Sequence, residues 1–334
     1  MSVPPVIIYR YAQSPYAQKV DNTLYLKGIP HKQVKISMVL PRPEISGELG
    51  INYRRIPILA IGNDVYCDSN LIVSVLERRF PASAGYSTLL PAGKDGRTTH
   101  TGLVKEFSKY YVENALFNNA TGLISWDKLP APFLKDRGDL MGRKINPAAL
   151  AGVAEKSISE LSTHLVAIEE QLSDGREWLF DTVTPGLADI SVHFVLAWIK
   201  GMPTSAGLFD EKRFPNALKW LNRLSALLKS KKNELGTIVA LSGEVAGNDI
   251  TSSSHEPDAV VGFDAQEAQR LKVQFGDVVQ VAPEDTGRNY PTVGKLVALS
   301  LEEVVLEVQA KDGKIRCHFP RLGYSIRAVR EAKL

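Results

Sequence analysis

The sequence predicts three successive parts: an α/β unit, an all-helical unit and a small all-β unit. Short apolar runs of strand length alternate with helical periodicity over about the first 80 residues. Only helical periodicity follows, to about residue 235, and β-branched runs appear after a Gly- and Ser-rich stretch at 236–258. The length of 334 residues also exceeds one typical domain, so the chain is expected to bury more than one core.

The first unit, residues 1–82, has the pattern strand, helix, strand, followed by two strands and a helix. Pro15 opens the first helix and Gly28 closes it, since proline suits a first turn and glycine suits the position after a last turn. The first two strands flank a helix, so they are expected to pair in parallel, which makes the unit thioredoxin-like. The expected strands lie at 6–9, 34–38, 57–61 and 65–67, and the second helix lies at 71–80.

The second unit is expected to be all-helical and to span residues 98–235, after a linker rich in Pro, Gly, Ser and Thr. Asn146-Pro147 has the pattern of an N-cap and a first helical residue, and it predicts a long helix that ends at Leu172. The segment 186–199 is apolar almost all round, which predicts a helix in the middle of a bundle.

The third unit, residues 257–334, is expected to be a small antiparallel, barrel-like β domain. Asp312-Gly313 is typical of a two-residue hairpin turn. The segment 318–321, His-Phe-Pro-Arg, is interpreted as a solvated turn at the end of the last strand. The expected strands lie at 277–281, 293–299, 304–308 and 314–319.

The composition argues against several classes of partner. Forty Lys and Arg against 37 Asp and Glu leave a formal charge of +3, too small for a basic surface to drive binding to nucleic acid or a membrane. The chain shows no targeting signal and no apolar run long enough to span a bilayer, so a cytoplasmic protein is expected. Cys67 and Cys317 fall in different predicted units, and the histidines of the first two units lack metal-ligand spacing. Neither a disulfide nor a metal site is expected.

Ser14-Pro15-Tyr16 places a hydroxyl at the expected N-cap of the first helix. Unpaired backbone N–H groups and the positive end of the helix dipole favour an anion at this position. A cysteine thiol has an ordinary pKa of about 8.5, which such surroundings lower. Ser14 is therefore a candidate donor that holds a bound thiolate, and it is not itself a nucleophile. The alternative is that Ser14 only caps the helix.

Two later motifs accompany Ser14. In Arg55-Ile56-Pro57 the proline begins a strand, and a cis peptide there would leave the main chain of Ile56 open to pair with an extended peptide ligand. Asp68-Ser69 joins a strand to a helix and offers a carboxylate, a hydroxyl and free N–H groups. These groups suit a ligand end that carries both a carboxylate and an ammonium group. Alone, Asp68-Ser69 would be interpreted as an ordinary helix cap.

In this order and spacing the three motifs resemble the soluble glutathione transferase superfamily, in its serine-type classes. The resemblance implies that Ser14 donates a hydrogen bond to the glutathione sulfur and that Ile56 pairs with the cysteinyl backbone. It also implies that Asp68 and Ser69 hold the γ-glutamyl end. Arg55 stands where serine-type relatives often carry a lysine near the glycyl carboxylate. Glutathione is therefore the expected cofactor.

The resemblance covers roughly residues 5–235 and has two departures. Gly186 stands three residues before Asp189, where the family usually has Ser or Thr; glycine can still occupy an N-cap, so Asp189 is assigned to folding. The segment 41–53 is expected to be irregular, in place of the family's usual short helix.

The resemblance implies a transferase that joins glutathione to a hydrophobic, electrophilic small molecule held against the helical unit, with homodimerisation as the family's habit. Phe107, Tyr110 and Tyr111 fall on one helical face where the family places that pocket, although core packing is the commoner cause of such a stripe. Two alternatives stay open. A thiol that adds reversibly to a double bond would give a cis–trans isomerase, and the fold is also compatible with a non-catalytic binding or regulatory protein.

Overall fold

The structure is a computed structural model that describes residues 4–97, 100–150 and 152–329. Its strands are β1 Val6–Arg10, β2 Lys32–Lys35, β3 Ile58–Ile61, β4 Asp64–Cys67, β5 Val239–Leu241, β6 Val278–Pro283, β7 Thr292–Leu299, β8 Glu303–Ala310, β9 Gly313–Pro320 and β10 Tyr324–Ala328. They form one 10-stranded sheet in the order β10-β6-β7-β8-β9-β4-β3-β1-β2-β5. The first and third predicted units therefore contribute strands to the same sheet.

The helices occupy the long middle part of the chain and the connections on either side of it. A π-helical segment, Phe107–Leu116, joins α4 to α5. No helix of the described residues is long and apolar enough to cross a membrane. The helices are α1 Pro15–Lys27, α2 Pro43–Ser46, α3 Ser69–Arg79, α4 Thr101–Glu106, α5 Phe117–Thr121, α6 Ala131–Met141, α7 Pro147–Leu150, α8 Val153–Gln171, α9 Leu187–Lys200, α10 Pro215–Glu234, α11 Gly243–Thr251 and α12 Ala265–Leu271.

The thioredoxin-like arrangement of the first unit is confirmed. β1 is parallel to β2 and antiparallel to β3, and β3 is antiparallel to β4. Val20 and Leu24 of α1 and Ile72 and Leu76 of α3 share one buried core on one face of these strands. The segment 41–53 contains α2, so the expectation that it lacks a short helix is wrong; a proline at the first turn suits that helix because its fixed φ is helical.

The sheet continues from the first unit into the C-terminal strands. β4 pairs in parallel with β9, with Val65 opposite Cys317. The strands β6 to β10 are antiparallel to their neighbours in that part of the sheet. Tyr53 and Ile58 share a buried core with Phe319 and other side chains of the C-terminal strands. The unit boundary at residue 257 and the barrel-like shape stay predictions.

Several details of the C-terminal half differ from the expectations. The Gly- and Ser-rich stretch 236–258 contains β5 and α11, because β5 gains hydrogen-bond partners by pairing with β2. His318 is buried in β9, so the solvated turn expected at 318–321 is wrong. Cys67 and Cys317 are free thiols with their sulfur atoms 4.0 Å apart, since β4 and β9 are neighbours.

The helical unit is confirmed, with α9 buried at its centre. Asp189 accepts hydrogen bonds from the backbone N–H groups of Gly186 (3.0 Å) and Leu179 (2.9 Å) and from the indole N–H of Trp220 (2.9 Å). A Cβ atom on Gly186 would lie 2.8 Å from the carbonyl oxygen of Leu89, which explains why glycine replaces the usual hydroxyl residue.

The helix predicted from the Asn146-Pro147 motif is only partly as expected. The side chain of Asn146 accepts a hydrogen bond from the N–H of Ala148 at 3.2 Å, as an N-cap does. The expected long helix is divided into α7 and α8, and residue 151 between them lies outside the described residues.

Candidate functional site

Strand register brings the predicted site residues to one edge of the sheet. Tyr9 of β1 lies opposite Ile58 of β3, and Ile58 lies opposite Cys67 of β4. The end of β1, the start of β3 and the end of β4 are therefore neighbours. Ser14 follows β1, Ile56 precedes β3 and Asp68 follows β4, so all three motifs flank this edge.

Ser14 is the N-cap of α1, as its sequence predicts, and is only 3% exposed. Its side-chain oxygen accepts a hydrogen bond from the N–H of Ala17 at 3.1 Å. Because that bond uses the oxygen as an acceptor, the O–H remains free to donate, and it has no acceptor in the part of the chain that the structure describes. Capping and donation to a ligand are therefore compatible at Ser14.

Ile56 lies beside the sheet just before β3. The Ile56–Pro57 peptide bond is cis, as the sequence analysis expects. The main-chain N–H and C=O of Ile56 have no hydrogen-bond partner within residues 4–97, 100–150 and 152–329. They are available to pair with an extended ligand.

Asp68 and Ser69 cap α3, but both side chains also contact distant parts of the chain. Asp68 accepts one hydrogen bond from the N–H of Asn70 at 2.9 Å and another from the hydroxyl of Tyr324 at 3.0 Å. The hydroxyl of Ser69 donates to a carboxylate oxygen of Glu113 at 3.4 Å. A strand of the C-terminal unit therefore supplies the second partner of the Asp68 carboxylate.

Glu113 joins Ser69 to a partly buried hydrogen-bond network that the sequence analysis missed. Its carboxylate accepts hydrogen bonds from the ammonium group of Lys19 at 2.7 Å and from the side-chain amide of Asn70 at 2.8 Å. Lys19 is fully buried, and its ammonium group also donates to the Asn70 side-chain oxygen at 2.8 Å. No sequence signal links these residues, because Lys19 and Glu113 are 94 positions apart.

Arg55 contacts the loop between β6 and β7. Its Nε–H donates to the carbonyl oxygen of Thr286 at 2.9 Å, and its guanidinium pairs with Asp285. Burial by itself lowers the pKa of Arg55, but Tyr53, Tyr324 and Asp285 outweigh it and raise that pKa above its ordinary value. Arg55 therefore stays charged, and its charge is already matched within the chain.

The aromatic residues singled out beside the site pack mainly into the helical core. Tyr16 contacts Phe117, with ring centroids 4.8 Å apart, and Phe107 stacks on Tyr111 at 5.0 Å. Tyr110 is 47% exposed. The contacts of Tyr16, Phe107 and Tyr111 are therefore those of core packing, and an acceptor pocket against the helical unit stays a prediction.

The edge thus brings together a capping hydroxyl at Ser14, a main chain at Ile56 that is unpaired within the described residues, and polar groups at Asp68 and Ser69. Residues 8–84 match the glutathione S-transferase N-terminal domain. This match and the fold support a place in the glutathione transferase superfamily. Residues 126–233 match a domain of unknown function, DUF7962. No curated protein matches the chain.

Solved structures share the fold. A GST-like protein from Pseudomonas syringae is 25% identical with a TM-score of 0.70, and the match covers 98% of this chain and all 100% of that one. A rice glutathione S-transferase in complex with glutathione is 18% identical, with 75% and 96% of the two chains covered and a TM-score of 0.50. A beta-etherase from Sphingobium is also 18% identical, with 69% and 99% covered and a TM-score of 0.50. The Pseudomonas protein is thus similar over the third unit as well.

Proposed function

We propose that the protein is a glutathione-dependent transferase of the serine type that binds glutathione along the edge formed by β1, β3 and β4. The observation that carries this proposal is the strand register, which brings Ser14, Ile56 and Asp68 to one place. The match of residues 8–84 to the glutathione S-transferase N-terminal domain supports it. A hydrophobic electrophilic small molecule is the proposed second substrate.

Ser14 would act by holding the sulfur of glutathione as a thiolate. Its O–H has no acceptor among the described residues, and the first turn of α1 offers N–H groups and a positive dipole end. Hydrogen bonding to the charged form lowers the pKa of a thiol. The thiolate then attacks an electrophilic carbon of the second substrate, a carbon–sulfur bond forms, and the leaving group departs with the electron pair. The sulfur of glutathione therefore forms the new bond, and Ser14 does not.

The two ends of glutathione would meet side chains that already have partners. Asp68 and Ser69 would take the γ-glutamyl end, and Ile56 would pair with the cysteinyl backbone. The carboxylate of Asp68 already accepts a hydrogen bond from the Tyr324 hydroxyl, so an ammonium group would have to share this carboxylate or displace that hydroxyl. Arg55 already pairs with Asp285, so the glycyl carboxylate would have to share the guanidinium or displace Asp285. Glutathione would therefore compete with contacts that the edge makes with the C-terminal unit.

A second candidate is a protein that keeps the fold and binds a partner or ligand without turnover. The contacts of Asp68 with Tyr324 and of Arg55 with Asp285 favour it, because they match polar groups that a glutathione enzyme would leave for its substrate. In that case the C-terminal strands would be a permanent part of the edge.

A calorimetric titration with glutathione, followed by an assay of conjugation to an activated aromatic halide, distinguishes the two. The transferase predicts saturable binding and a conjugation rate that falls in Ser14→Ala. Absence of binding at millimolar glutathione would contradict both glutathione binding and the transferase. Binding without turnover, unchanged in Ser14→Ala, would favour the second candidate.

A further inference from the structure

A cavity of about 560 Å³ lies between α1, the end of β1, α9, α10 and residues 236–238. None of the five predicted glutathione-site residues lines it. Its volume falls within the range of about 300–1,000 Å³ that small-molecule sites usually have. This cavity is therefore a second place in the structure that is large enough to hold a small ligand.

The lining of this cavity is strongly cationic. Arg10, Lys35, Lys229 and Lys232 line it, with Asp21 as the opposing carboxyl group. In residues 4–97, 100–150 and 152–329 none of the three lysines has a salt-bridge partner within 4.0 Å, and all three are exposed at the rim. Unpaired positive charges held around a concave surface raise the local concentration of anions.

Arg10 provides a donor that the protein does not use. Its guanidinium forms a salt bridge with Asp21 at 2.7 Å, while its Nε–H is buried and has no acceptor among the described residues. Because that nitrogen is closed off from the cavity, Arg10 offers an anion there the positive charge of its guanidinium and not this donor. Burial raises the pKa of Asp21 to about 6 against the opposing effects of Arg10 and Lys232, so near pH 7 Asp21 is mainly a carboxylate whose charge these two cations balance.

The floor of the cavity is polar and ordered. The hydroxyl of Ser225 donates to the carbonyl oxygen of Leu221 at 2.8 Å, so its oxygen accepts from His193 Nε2–H at 2.9 Å. His193 Nδ1 then accepts from the side-chain amide of Asn22 at 3.4 Å. Burial lowers the pKa of His193 to about 4, so the ring is neutral near pH 7. The floor thus adds oriented polar groups beneath the cationic rim.

We propose that this cavity binds a small polar anion with at least two negative charges, of the phosphate or carboxylate type. Three lysines without a salt-bridge partner among the described residues and the Arg10 guanidinium place several positive charges around the cavity, which matches an anion that carries more than one negative charge. The polar floor disfavours an apolar ligand, because Asn22 and Ser225 present polar side chains to the cavity. This site is independent of the proposed glutathione site.

Calorimetric titration of the full chain with pyrophosphate and with citrate, at ionic strength matched by sodium chloride, tests the proposal. We expect saturable binding of one of the two anions at one site per chain. The double substitution Lys229→Gln/Lys232→Gln should weaken that binding by about tenfold or more, since each charge-assisted contact is stronger than a neutral one. Pyrophosphate and citrate distinguish a phosphate site from a carboxylate site.

The matched control is Lys212→Gln/Lys219→Gln, which removes the same charge from exposed lysines at and near the start of α10, outside the cavity. This pair should weaken binding by less than about twofold, since distant exposed charges are screened. The imidazole NMR signals of His193 should also shift on binding. Absence of saturable binding, equal weakening by both pairs, or unchanged His193 signals during binding would overturn the proposal.

Discussion

The edge of the sheet at Ser14 and the cavity behind α1 are both polar, but they differ in how their charges are matched. At the edge, Asp68 and Arg55 already have partners in the C-terminal unit. In the cavity, the three rim lysines have no salt-bridge partner among the described residues, and the Nε–H of Arg10 has no acceptor there. A ligand at the edge therefore meets charged side chains that already have partners in the chain, whereas among the described residues that line the cavity only Arg10 is held in a salt bridge, with Asp21.

The charged groups at the edge have partners because the sheet continues from the first unit into the C-terminal strands. Because β9 pairs with β4, the C-terminal strands lie beside the first unit, and Tyr324 of β10 reaches Asp68. A motif in the sequence identifies side chains that can bind a ligand. It does not show whether residues some 250 positions away already bind the same side chains.

The largest expected effect comes from breaking the buried contact that holds the C-terminal strands against β4. His318 lies between Asp64 at 3.0 Å and Glu303 at 2.6 Å, with all three side chains buried. His318→Ala leaves two buried carboxylates without their shared partner and should lower the free energy of unfolding by about 3–5 kcal/mol. Urea denaturation measures this loss. His255→Ala, at an exposed histidine, should change it by less than about 0.5 kcal/mol.

The pH dependence of the same contact has a definite sign. Burial alone lowers the pKa of His318, but hydrogen bonds and charge from Asp64 and Glu303 raise it above its ordinary value. The stabilisation from His318 is therefore fully present below the unfolded pKa, about 6.5, and is lost as pH rises through the folded pKa. The stability difference between the wild type and His318→Ala should narrow at alkaline pH. A difference that stays constant across that range would contradict a charged His318.

The next largest effect concerns Ser14. Ser14→Ala should lower the conjugation rate by about 10- to 100-fold, because a hydrogen bond to a charged group contributes about 1.5–3 kcal/mol. The pKa of bound glutathione, followed by the ultraviolet absorbance of the thiolate, should rise in parallel.

Ser242→Ala is the matched control, since Ser242 caps α11 through the N–H of Val245 at 3.2 Å. Both substitutions should cost about 1 kcal/mol of stability through the lost cap. Only Ser14→Ala should change the thiol pKa. Equal thiol pKa values in the two variants would mean that Ser14 is a cap and nothing more.

A smaller effect, of opposite sign, is expected at Tyr324. Tyr324→Phe removes the hydroxyl that donates to Asp68 and should strengthen glutathione binding by about fivefold, the equivalent of about 1 kcal/mol for one net hydrogen bond. Tyr290→Phe, which removes a hydroxyl that pairs with Asp139 instead, should leave the affinity unchanged. Calorimetric titration of both variants compares them, and weaker binding in Tyr324→Phe would show that this hydroxyl helps to bind glutathione.

The smallest effect is expected from Asp285. Its side chain is 71% exposed, so its pairing with Arg55 is screened by water. Asp285→Ala should strengthen glutathione binding by about twofold at most, and raising the salt concentration should remove the difference. Calorimetric titration measures this change in glutathione affinity. A change in affinity of tenfold or more would contradict a screened contact between Asp285 and Arg55.

Local signals account for the part of the fold that the sequence predicted. The strands β1, β3 and β4 and the helices α1 and α3 follow from apolar periodicity and from Pro15 and Gly28, which act within a few residues. The pairing of β4 with β9 has no local signal, and neither does the short strand β10. His318 looked solvated because proline and arginine follow it closely, yet its charge is matched by Asp64, which is 254 positions away.

The candidate site also has residues that the sequence predicted and residues that it did not. Ser14, Ile56 and Asp68-Ser69 were predictable because each has turn or cap chemistry at the end of a strand or the start of a helix. Glu113 and Tyr324 were not, because their contacts depend on how helices and strands from other units pack against that edge. The cavity was not predictable either, because its cationic side chains come from α1-flanking strands and from α10.

A crystal structure of the full chain soaked in millimolar glutathione tests the central claim most directly. The account predicts the cysteinyl sulfur within hydrogen-bond reach of the Ser14 hydroxyl, with the γ-glutamyl end on Asp68 and Ser69. It also predicts that the Tyr324 hydroxyl has moved away from Asp68. Glutathione that is absent from this edge, or that lies there with its sulfur out of reach of the Ser14 hydroxyl, would contradict the account.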